Sequence, residues 1–142
     1  MPAVSITRLR VRSYLYLPAF FLRALRIGQQ AKKAPGNLGA KVLNDRRKTF
    51  WTCTAWVSDD AMRAFMLAPP HGPAMRKLLE WCDEASLVHW YQPELELPTW
   101  PEAHERLQRE GRRSKVNHPS EDHNQFVIAA PRSDGVGEVR LK

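Results

Sequence analysis

Cysteine is scarce in this chain of 142 residues. Its two cysteines, Cys53 and Cys82, are too few for a disulfide framework and have no metal-binding spacing, so we expect a protein of the reducing cytoplasm. Long hydrophobic runs are missing as well, because Arg23 and Arg26 interrupt the best candidate, and the sequence therefore predicts no transmembrane segment. A glycine-rich phosphate loop and a Ser-His-Asp signature are also absent, which leaves no support for the enzyme classes that depend on them.

Acidic residues are nearly absent from the first third of the chain. Residues 1–48 contain 11 lysines and arginines but a single acid, Asp45, whereas the other 94 residues carry 11 basic and 14 acidic side chains. Such an excess is typical of proteins that bind nucleic acid, an anionic membrane surface or an acidic ligand, and equally of a solvated face. Arg8, Arg10 and Arg12 share one side of a predicted strand, but nothing in the sequence gathers the other cations beside them. Nucleic acid is therefore not favoured as a partner.

Hydrophobic periodicity predicts four strands and three helices. In chain order they are a strand at 4–12, a helix at 18–33, strands at 38–44 and 49–56, a helix that starts after Ser58 and resumes near Pro73 to end near 83, a strand at 86–92 and a helix at 99–113. The order β-α-β-β-α-β is that of the ferredoxin-like unit, an α+β fold with helices on one face of an antiparallel sheet. We expect this fold with an extra C-terminal helix.

The chain is predicted to form one domain, because its size is sufficient for a hydrophobic core without disulfides. We place that domain at residues 1–116. Residues 117–142 are mostly polar and contain glycine and proline, so they are predicted to be an extended or partly disordered tail. The histidines and acids of this tail match no defined ligand spacing, and no metal site is predicted.

Local signals mark the helix starts. Ser58 followed by two aspartates is typical of an N-cap with negative charge in the first turn. Thr99 and Glu102 have the spacing of a capping box. The proline-rich stretch 69–73 is expected to interrupt the second helix, because proline lacks the amide donor that a helix interior requires.

The predicted strands carry apolar residues on both sides. In the strand at 49–56, Phe50 and Trp56 alternate with Trp51 and Ala55. Helices on one face of the sheet would leave the other face bare, and a bare apolar face needs a cover. A second copy of the chain is the simplest cover, so we expect a homodimer.

The stretch TFWTCTAWVSDDAMRAF, followed by PHGPAM, combines an aromatic strand that ends in Trp56, a Ser-Asp helix start, and a histidine and a methionine beyond a helix break. Together with the order of elements over residues 4–92, it resembles the antibiotic-biosynthesis-monooxygenase type of dimeric α+β barrel. The resemblance is to small bacterial members of unknown substrate that are compared with spheroidene monooxygenase. Some proteins of this type oxygenate aromatic polyketides without a cofactor, some bind and degrade haem, and others have no known catalysis.

The haem-degrading branch of this type has a recognisable set of residues. There the helix after the third strand carries a tryptophan and, further on, an axial histidine. Counted from Trp56, these positions fall on Phe65 and Met75 in this sequence. The asparagine that the branch requires on its first strand has no match either, since Ser5 and Thr7 occupy that region. The haem-degrading constellation is therefore absent.

The resemblance implies a monooxygenase-like enzyme that holds a hydrophobic small molecule between sheet and helices. We predict His71 as its catalytic residue, acting as a general base, a hydrogen-bond donor or a haem ligand. The predicted ligand pocket is formed by Trp51, Phe65, Met75, His89 and Trp90. The cofactor is open between none and haem, because His71 and Met75 both have the chemistry of haem-iron ligands. The alternatives are a haem-binding protein, and a non-catalytic ligand-binding or stress-response module with the same fold.

Overall fold

The chain folds in the order that its hydrophobic pattern predicts, and three further short elements follow near the C terminus. The structure is a computed structural model that describes residues 1–68 and 71–142, except for the side chains of residues 71–74. Its strands are β1 (Ala3–Val11), β2 (Asn37–Asp45), β3 (Thr49–Trp56), β4 (Cys82–Tyr91), β5 (Arg112–Arg113) and β6 (Glu138–Arg140). Its helices are α1 (Leu17–Lys33), α2 (Asp59–Leu67), α3 (His71–Trp81), α4 (Trp100–Glu110) and α5 (Glu121–Gln125), and a 3-10 turn at Tyr14–Tyr16 precedes α1.

Within these residues, the strands form one sheet in the order β5-β4-β1-β3-β2-β6. All five pairings in this sheet are antiparallel. β1 lies near the centre, where Ile6 is opposite Cys53 of β3 on one side and Val88 of β4 on the other. The four longer strands have the connectivity of the ferredoxin-like unit, so the predicted α+β fold is confirmed.

β4 begins earlier than predicted. The hydrophobic pattern carried the preceding helix to residue 83, whereas α3 ends at Trp81 and Cys82 is already paired with Val11 of β1. Cys82 is fully buried, and it fits the apolar side of a helix as well as the inward side of a strand. Local periodicity therefore does not show whether Cys82 belongs to the helix or to the strand. Its pairing with Val11 of β1 places it in the strand.

The predicted helix caps are present. The Ser58 hydroxyl accepts a hydrogen bond from the Ala61 amide (3.2 Å), and the Thr99 hydroxyl accepts one from the Glu102 amide (3.3 Å). Each of these bonds satisfies an amide that the first turn of a helix leaves unpaired. The second helix is interrupted as predicted, because α2 ends at Leu67 and α3 begins at His71, two residues before the predicted restart near Pro73. Pro69 and Pro70 themselves lie outside the described residues.

The sheet face that we expected to be bare is covered by the chain itself. α4 lies across it with Trp100, Ala103 and Leu107, and Ile128 from the C-terminal segment packs beside them. Beneath these residues lie the inward side chains of the four longer strands: Val4, Ile6, Leu43, Trp51, Cys53, Ala55, Val88 and Trp90. A second copy is therefore not needed to bury this face, which corrects the reason given for a homodimer.

The C-terminal segment is anchored by a buried ion pair. Arg8 donates to one carboxylate oxygen of Glu84 (2.7 Å), and both side chains are nearly buried, at 4% and 5% exposure. Ser120, which caps α5, donates to the other oxygen (2.8 Å). Burial by itself raises the pKa of Glu84, but the hydrogen bonds from Arg8 and Ser120 and the positive charges of Arg8 and Arg10 together outweigh it and hold the pKa below its usual value. Part of the predicted tail, residues 117–142, is thus fixed to the sheet, and β6 extends the sheet beyond β2.

Arg10 of β1 and Arg12, which directly follows this strand, are also paired with acids of the same chain. Arg10 contacts Glu84 (3.0 Å), and Arg12 contacts Glu80 (2.8 Å). The cations that the sequence places on this strand are therefore occupied within the fold. In the described part of the chain, no helix is both long and apolar enough to cross a membrane.

Truncation of Leu107 tests the covering role of α4. Leu107 is fully buried, so Leu107→Ala removes apolar contacts and leaves a void, and we expect the free energy of unfolding to fall by about 2–5 kcal/mol. Glu105→Ala, on the outward side of α4, removes only an exposed ion pair with Arg109 and is expected to cost less than about 0.5 kcal/mol. Urea denaturation measures both changes. Equal losses in the two variants would contradict the packing of α4 on the sheet.

Candidate functional site

A cavity of about 270 Å³ lies between the sheet and the helices α1, α2 and α3. It is on the sheet face opposite to α4, and it opens to solvent. Its volume is slightly below the range of about 300–1,000 Å³ that is typical of small-molecule pockets. Most of its wall is apolar, and its hydroxyl groups are concentrated on the sheet. This cavity is the candidate functional site.

The floor of the cavity is built from alternate residues of neighbouring strands. In one row across the sheet, His89 of β4 lies beside Ser5 of β1, which lies beside Thr54 of β3. In the next row, the same strands contribute Leu87, Thr7 and Thr52. Because alternate side chains of a strand point to the same face, both rows face the helices. The register therefore gathers one imidazole and four hydroxyls on one patch of the floor.

Three of these hydroxyls are available to a ligand. Within the described part of the chain, the side chains of Ser5, Thr7 and Thr52 have no hydrogen-bond partner. The hydroxyl of Thr54 accepts a hydrogen bond from the indole N–H of Trp56 (2.9 Å), which leaves its own proton for donation. Hydroxyls without a protein partner are satisfied by water or by a ligand. The floor thus offers directional polar groups beneath an apolar ceiling.

His89 is the imidazole of this floor. Its ring lines the cavity and is reached by solvent, yet the surrounding protein still removes much of its hydration. This burial lowers the pKa of His89, the positive charge of Arg112 lowers it further, and the negative charge of Asp59 opposes the shift. The ring is consequently neutral at pH 7, and a neutral imidazole is able to accept a proton.

The ceiling of the cavity is apolar and is shaped by small residues of α1. Ala24, Gly28 and Ala31 line the cavity from this helix at helical spacing. Because these residues are small, their side chains occupy little of the space between helix and sheet, and Leu141 from the C-terminal segment packs against Gly28. α2 contributes Phe65, whose ring lies against that of Trp56 with centroids 5.0 Å apart. The pair closes the cavity at the end of β3.

Three of the predicted pocket residues line this cavity. Phe65, Met75 and His89 reach it from α2, α3 and β4. Phe65 is buried, whereas Met75 is 42% exposed. The side chain of His71, the predicted catalytic residue, lies outside the described residues, although its backbone begins α3. Its role therefore stays a prediction.

The other two predicted pocket residues, Trp51 and Trp90, lie on the opposite face of the sheet. Trp51 is fully buried against Trp100, with ring centroids 6.4 Å apart. Trp90 is covered by α4, where the Arg106 guanidinium carbon lies 4.7 Å from its ring centroid. Both indoles thus belong to the core and not to the cavity wall. The reason is strand parity: Trp51 is five residues from Trp56, and an odd spacing along a strand puts two side chains on opposite faces.

Sequence reasoning missed most of the polar floor. Thr52, Thr54 and Trp56 were not assigned to the pocket, and Ser5 and Thr7 were considered only as replacements for an asparagine. The alternation of side chains along each strand identifies these five residues, because all of them lie on the sheet face opposite to the core under α4. That signal becomes informative only when the cover of one face is known.

The cysteines do not supply a nucleophile to this site. Burial raises the pKa of Cys53 to about 12 and that of Cys82 to about 12, so both thiols stay protonated at neutral pH. Neither side chain lines the cavity. Among the residues that the structure describes, no group of three or more histidine, cysteine, aspartate or glutamate side chains is arranged to hold a metal ion.

Solved structures with the same fold are known. SnoaB, a cofactor-independent oxygenase from Streptomyces nogalater, is 19% identical with a TM-score of 0.51, and the match covers 66% of this chain and 94% of SnoaB. An antibiotic biosynthesis monooxygenase is 10% identical with a TM-score of 0.58, over 66% of this chain and all of the other (100%). Rv0793 from Mycobacterium tuberculosis is 10% identical with a TM-score of 0.60, over 66% and 97% of the two chains. The fold is therefore that of the antibiotic-biosynthesis-monooxygenase-like proteins, as the sequence resemblance implied.

The sequence also matches a protein family. Residues 19–118 match the family described as Domain of unknown function (DUF3291). Because the match spans more than half of the chain, the protein belongs to this family. The matched region includes α2, α3, all but the first two residues of α1, and His89 on the floor. A search among curated proteins finds no match at comparable significance.

The titration of His89 tests the electrostatics of the floor. We expect its pKa, followed by NMR of the imidazole ring, to lie below the ordinary value of about 6.5. Arg112→Gln should raise this pKa because a positive charge is removed, and Asp59→Asn should lower it further. The pKa of this histidine is about 6.5 in the unfolded chain and lower in the native state. As the pH falls below about 6.5, the unfolded chain therefore binds a proton that native His89 does not, and the free energy of unfolding decreases. A pKa above that value, or one that neither variant moves, would contradict the described surroundings of the ring.

Proposed function

We propose that this protein is a monooxygenase-like enzyme that acts on a hydrophobic small molecule in the cavity, with molecular oxygen as co-substrate and no bound cofactor. The observation that carries the proposal is the arrangement of the floor. A neutral imidazole, His89, stands beside the unpaired hydroxyls of Ser5 and Thr7 under an apolar ceiling. The choice of reaction is supported by SnoaB, a neighbour in fold that is named as a cofactor-independent oxygenase.

The reaction that suits this arrangement starts from an acidic C–H bond. A methylene group conjugated with an aromatic ketone gives one proton to a ring nitrogen of His89, and the electron pair stays on the substrate as a delocalised enolate. The enolate adds molecular oxygen and regains the proton from His89, which forms a hydroperoxide. Loss of water from the hydroperoxide leaves a new carbonyl group. Overall, the methylene group and molecular oxygen become a carbonyl group and water, with oxygen as the oxidant.

The other lining residues have roles in the same scheme. The hydroxyls of Ser5 and Thr7 are proposed to donate to the substrate oxygen on which negative charge develops. The apolar ceiling, with Ile27 and Phe65, excludes water, which strengthens these hydrogen bonds and keeps solvent from protonating the carbanion. His71 is proposed as the second candidate base, because it begins α3 and this helix lines the cavity.

A homodimer formed through the outward side of α1 is part of the proposal. Phe21, Leu22 and Leu25 are 41%, 53% and 67% exposed, and an apolar helix surface of this kind is typical of an interaction site. Sedimentation equilibrium is expected to give twice the chain mass of 16.4 kDa. Leu25→Glu should shift the protein to the monomer, because dimerisation would bury its charge. Monomeric wild-type protein would overturn this proposal.

Replacement of His89 tests the proposed base. Anthrone, a tricyclic ketone with an acidic ring methylene group, serves as the probe, and we expect one molecule of oxygen to be consumed for each carbonyl group formed. His89→Gln keeps a hydrogen-bonding side chain but does not take up a proton, so kcat is expected to fall about 100-fold or more. His118→Gln is the matched control, because the side chain of His118 is 54% exposed and does not line the cavity. An oxygen electrode and the absorbance of the product measure the rates.

Thr7→Phe complements this experiment by filling the cavity from the middle of its floor. The wild-type side chain already lies in the cavity wall, so we expect turnover to be lost while the circular dichroism of the fold is kept. A normal rate in Thr7→Phe would contradict the cavity as the reaction site. A normal rate in His89→Gln, combined with loss in Thr7→Phe, would remove His89 as the base and favour His71.

A further inference from the structure

Two cations reach the same end of the cavity. Arg23, on the cavity side of α1, has its guanidinium carbon 5.7 Å from the centre of the Trp81 ring. Lys115 lines the cavity from the segment that follows β5. Its neighbour Val116 is buried in one cluster with Phe20 and Trp81, and Phe20 is one helical turn before Arg23. Both cations therefore lie at the end of the cavity where α3 meets β4.

The backbone on either side of Lys115 is fixed. The Ser114 amide donates to the carbonyl of Ala85 (2.8 Å), and the Asn117 amide donates to the carbonyl of Leu79 (2.8 Å). These two bonds tie the segment to the beginning of β4 and to the last turn of α3. Lys115 is thus presented at the cavity by an anchored segment, and its position does not depend on a loose tail.

Neither cation has an acidic partner within the described residues. Arg23 makes the contact with Trp81 but no ion pair, and Lys115 makes neither an ion pair nor a side-chain hydrogen bond. The described residues that line the cavity include no aspartate and no glutamate. On the other face of the sheet, by contrast, the buried Arg8 is paired with Glu84. Two uncompensated cations beside an apolar cavity create a positive potential that attracts an anion.

We propose that the ligand of this cavity is an elongated apolar anion whose carboxylate, or a similar acidic group, is bound by Arg23 and Lys115. The proposal rests on the function proposed for the same cavity and specifies its class of substrate. Arginine presents planar donors that match a carboxylate, and lysine adds a second point charge. The apolar body of the ligand lies between the small residues of α1 and the floor of the sheet.

The fold also sets the length of this ligand. Ala85 lines the cavity at the end that holds the cations, and His89 lies four residues further along β4. At about 3.3 Å per residue, these two positions are about 13 Å apart. A molecule that contacts both ends therefore carries its acidic group about 10–13 Å from the carbon that reacts beside His89. A polycyclic acid spans this distance, whereas an acid with a single ring does not.

A pair of fluorescent probes tests the anion site. 1-Anilinonaphthalene-8-sulfonate and N-phenyl-1-naphthylamine share one ring skeleton, and only the first carries a sulfonate. Arg23→Leu and Lys115→Met are each expected to weaken binding of the sulfonate by about tenfold or more, because a charge-assisted interaction is lost. In both variants, the affinity for the neutral probe should stay within about twofold of the wild-type affinity. This change is smaller than the change expected from the loss of one hydrogen bond. Arg23→Lys keeps the charge and is expected to retain most of the affinity for the sulfonate.

Arg26→Leu is the matched control, because Arg26 is exposed one turn after Arg23 and does not line the cavity. The anion proposal is overturned if Arg23→Leu weakens both probes equally, or if Arg26→Leu weakens the sulfonate as much as Arg23→Leu does. If Thr7→Phe affects neither probe, the cavity is not their binding site and the anion proposal fails, whereas the proposed function is decided separately by the effect of Thr7→Phe on turnover. If the cations discriminate between the probes but no oxygen is consumed with either anthrone or an anthrone carboxylic acid, the proposed function fails and the anion site stands.

Discussion

A sheet that carries apolar side chains on both faces, with hydroxyls among them on one, is the constraint on which the rest of this structure depends. Each face must be covered to remove its side chains from water, and the chain covers the two faces differently. On one face, α4 and the C-terminal segment seal a core that contains Trp51 and Leu107. On the other face, α1 turns Ala24, Gly28 and Ala31 toward the sheet and leaves a cavity above it. The cavity is therefore a consequence of small helix residues opposite a floor of hydroxyls.

The charges follow the same division between the two faces. Arg8 lies on the sealed face and is paired with Glu84, because an unpaired charge in that position would cost several kcal/mol, roughly the penalty of breaking a buried ion pair. Arg23 and Lys115 lie at the open cavity, where solvent stabilises them without an acid. The basic excess of the first third of the chain is thus partly structural and partly available to a ligand. His89 is neither sealed in the core like Arg8 nor fully solvated, and its partial burial lowers its pKa and keeps it neutral.

Elements with a full hydrophobic period could be predicted from the sequence, and those without one could not. α1 and the four longer strands extend over enough residues to show their spacing, and caps at Ser58 and Thr99 mark helix starts. β5 and β6, with two and three residues, show no period and exist only through pairing with β4 and β2. The same limit applies to the site: His89 and Phe65 were chosen by residue type and do line the cavity, whereas Trp51 was chosen by the same criterion and does not.

By itself, the sequence determined which side chains share a face. The alternation in β1 groups Ser5 with Thr7 and separates both from Ile6, and the odd spacing in β3 separates Trp51 from Trp56. Only the tertiary structure decided which of these groups became core and which became the floor of a cavity. Alternation is a property of the extended backbone and is fixed within a few residues. The choice of face depends instead on where α4 packs, and that contact joins segments far apart in the chain.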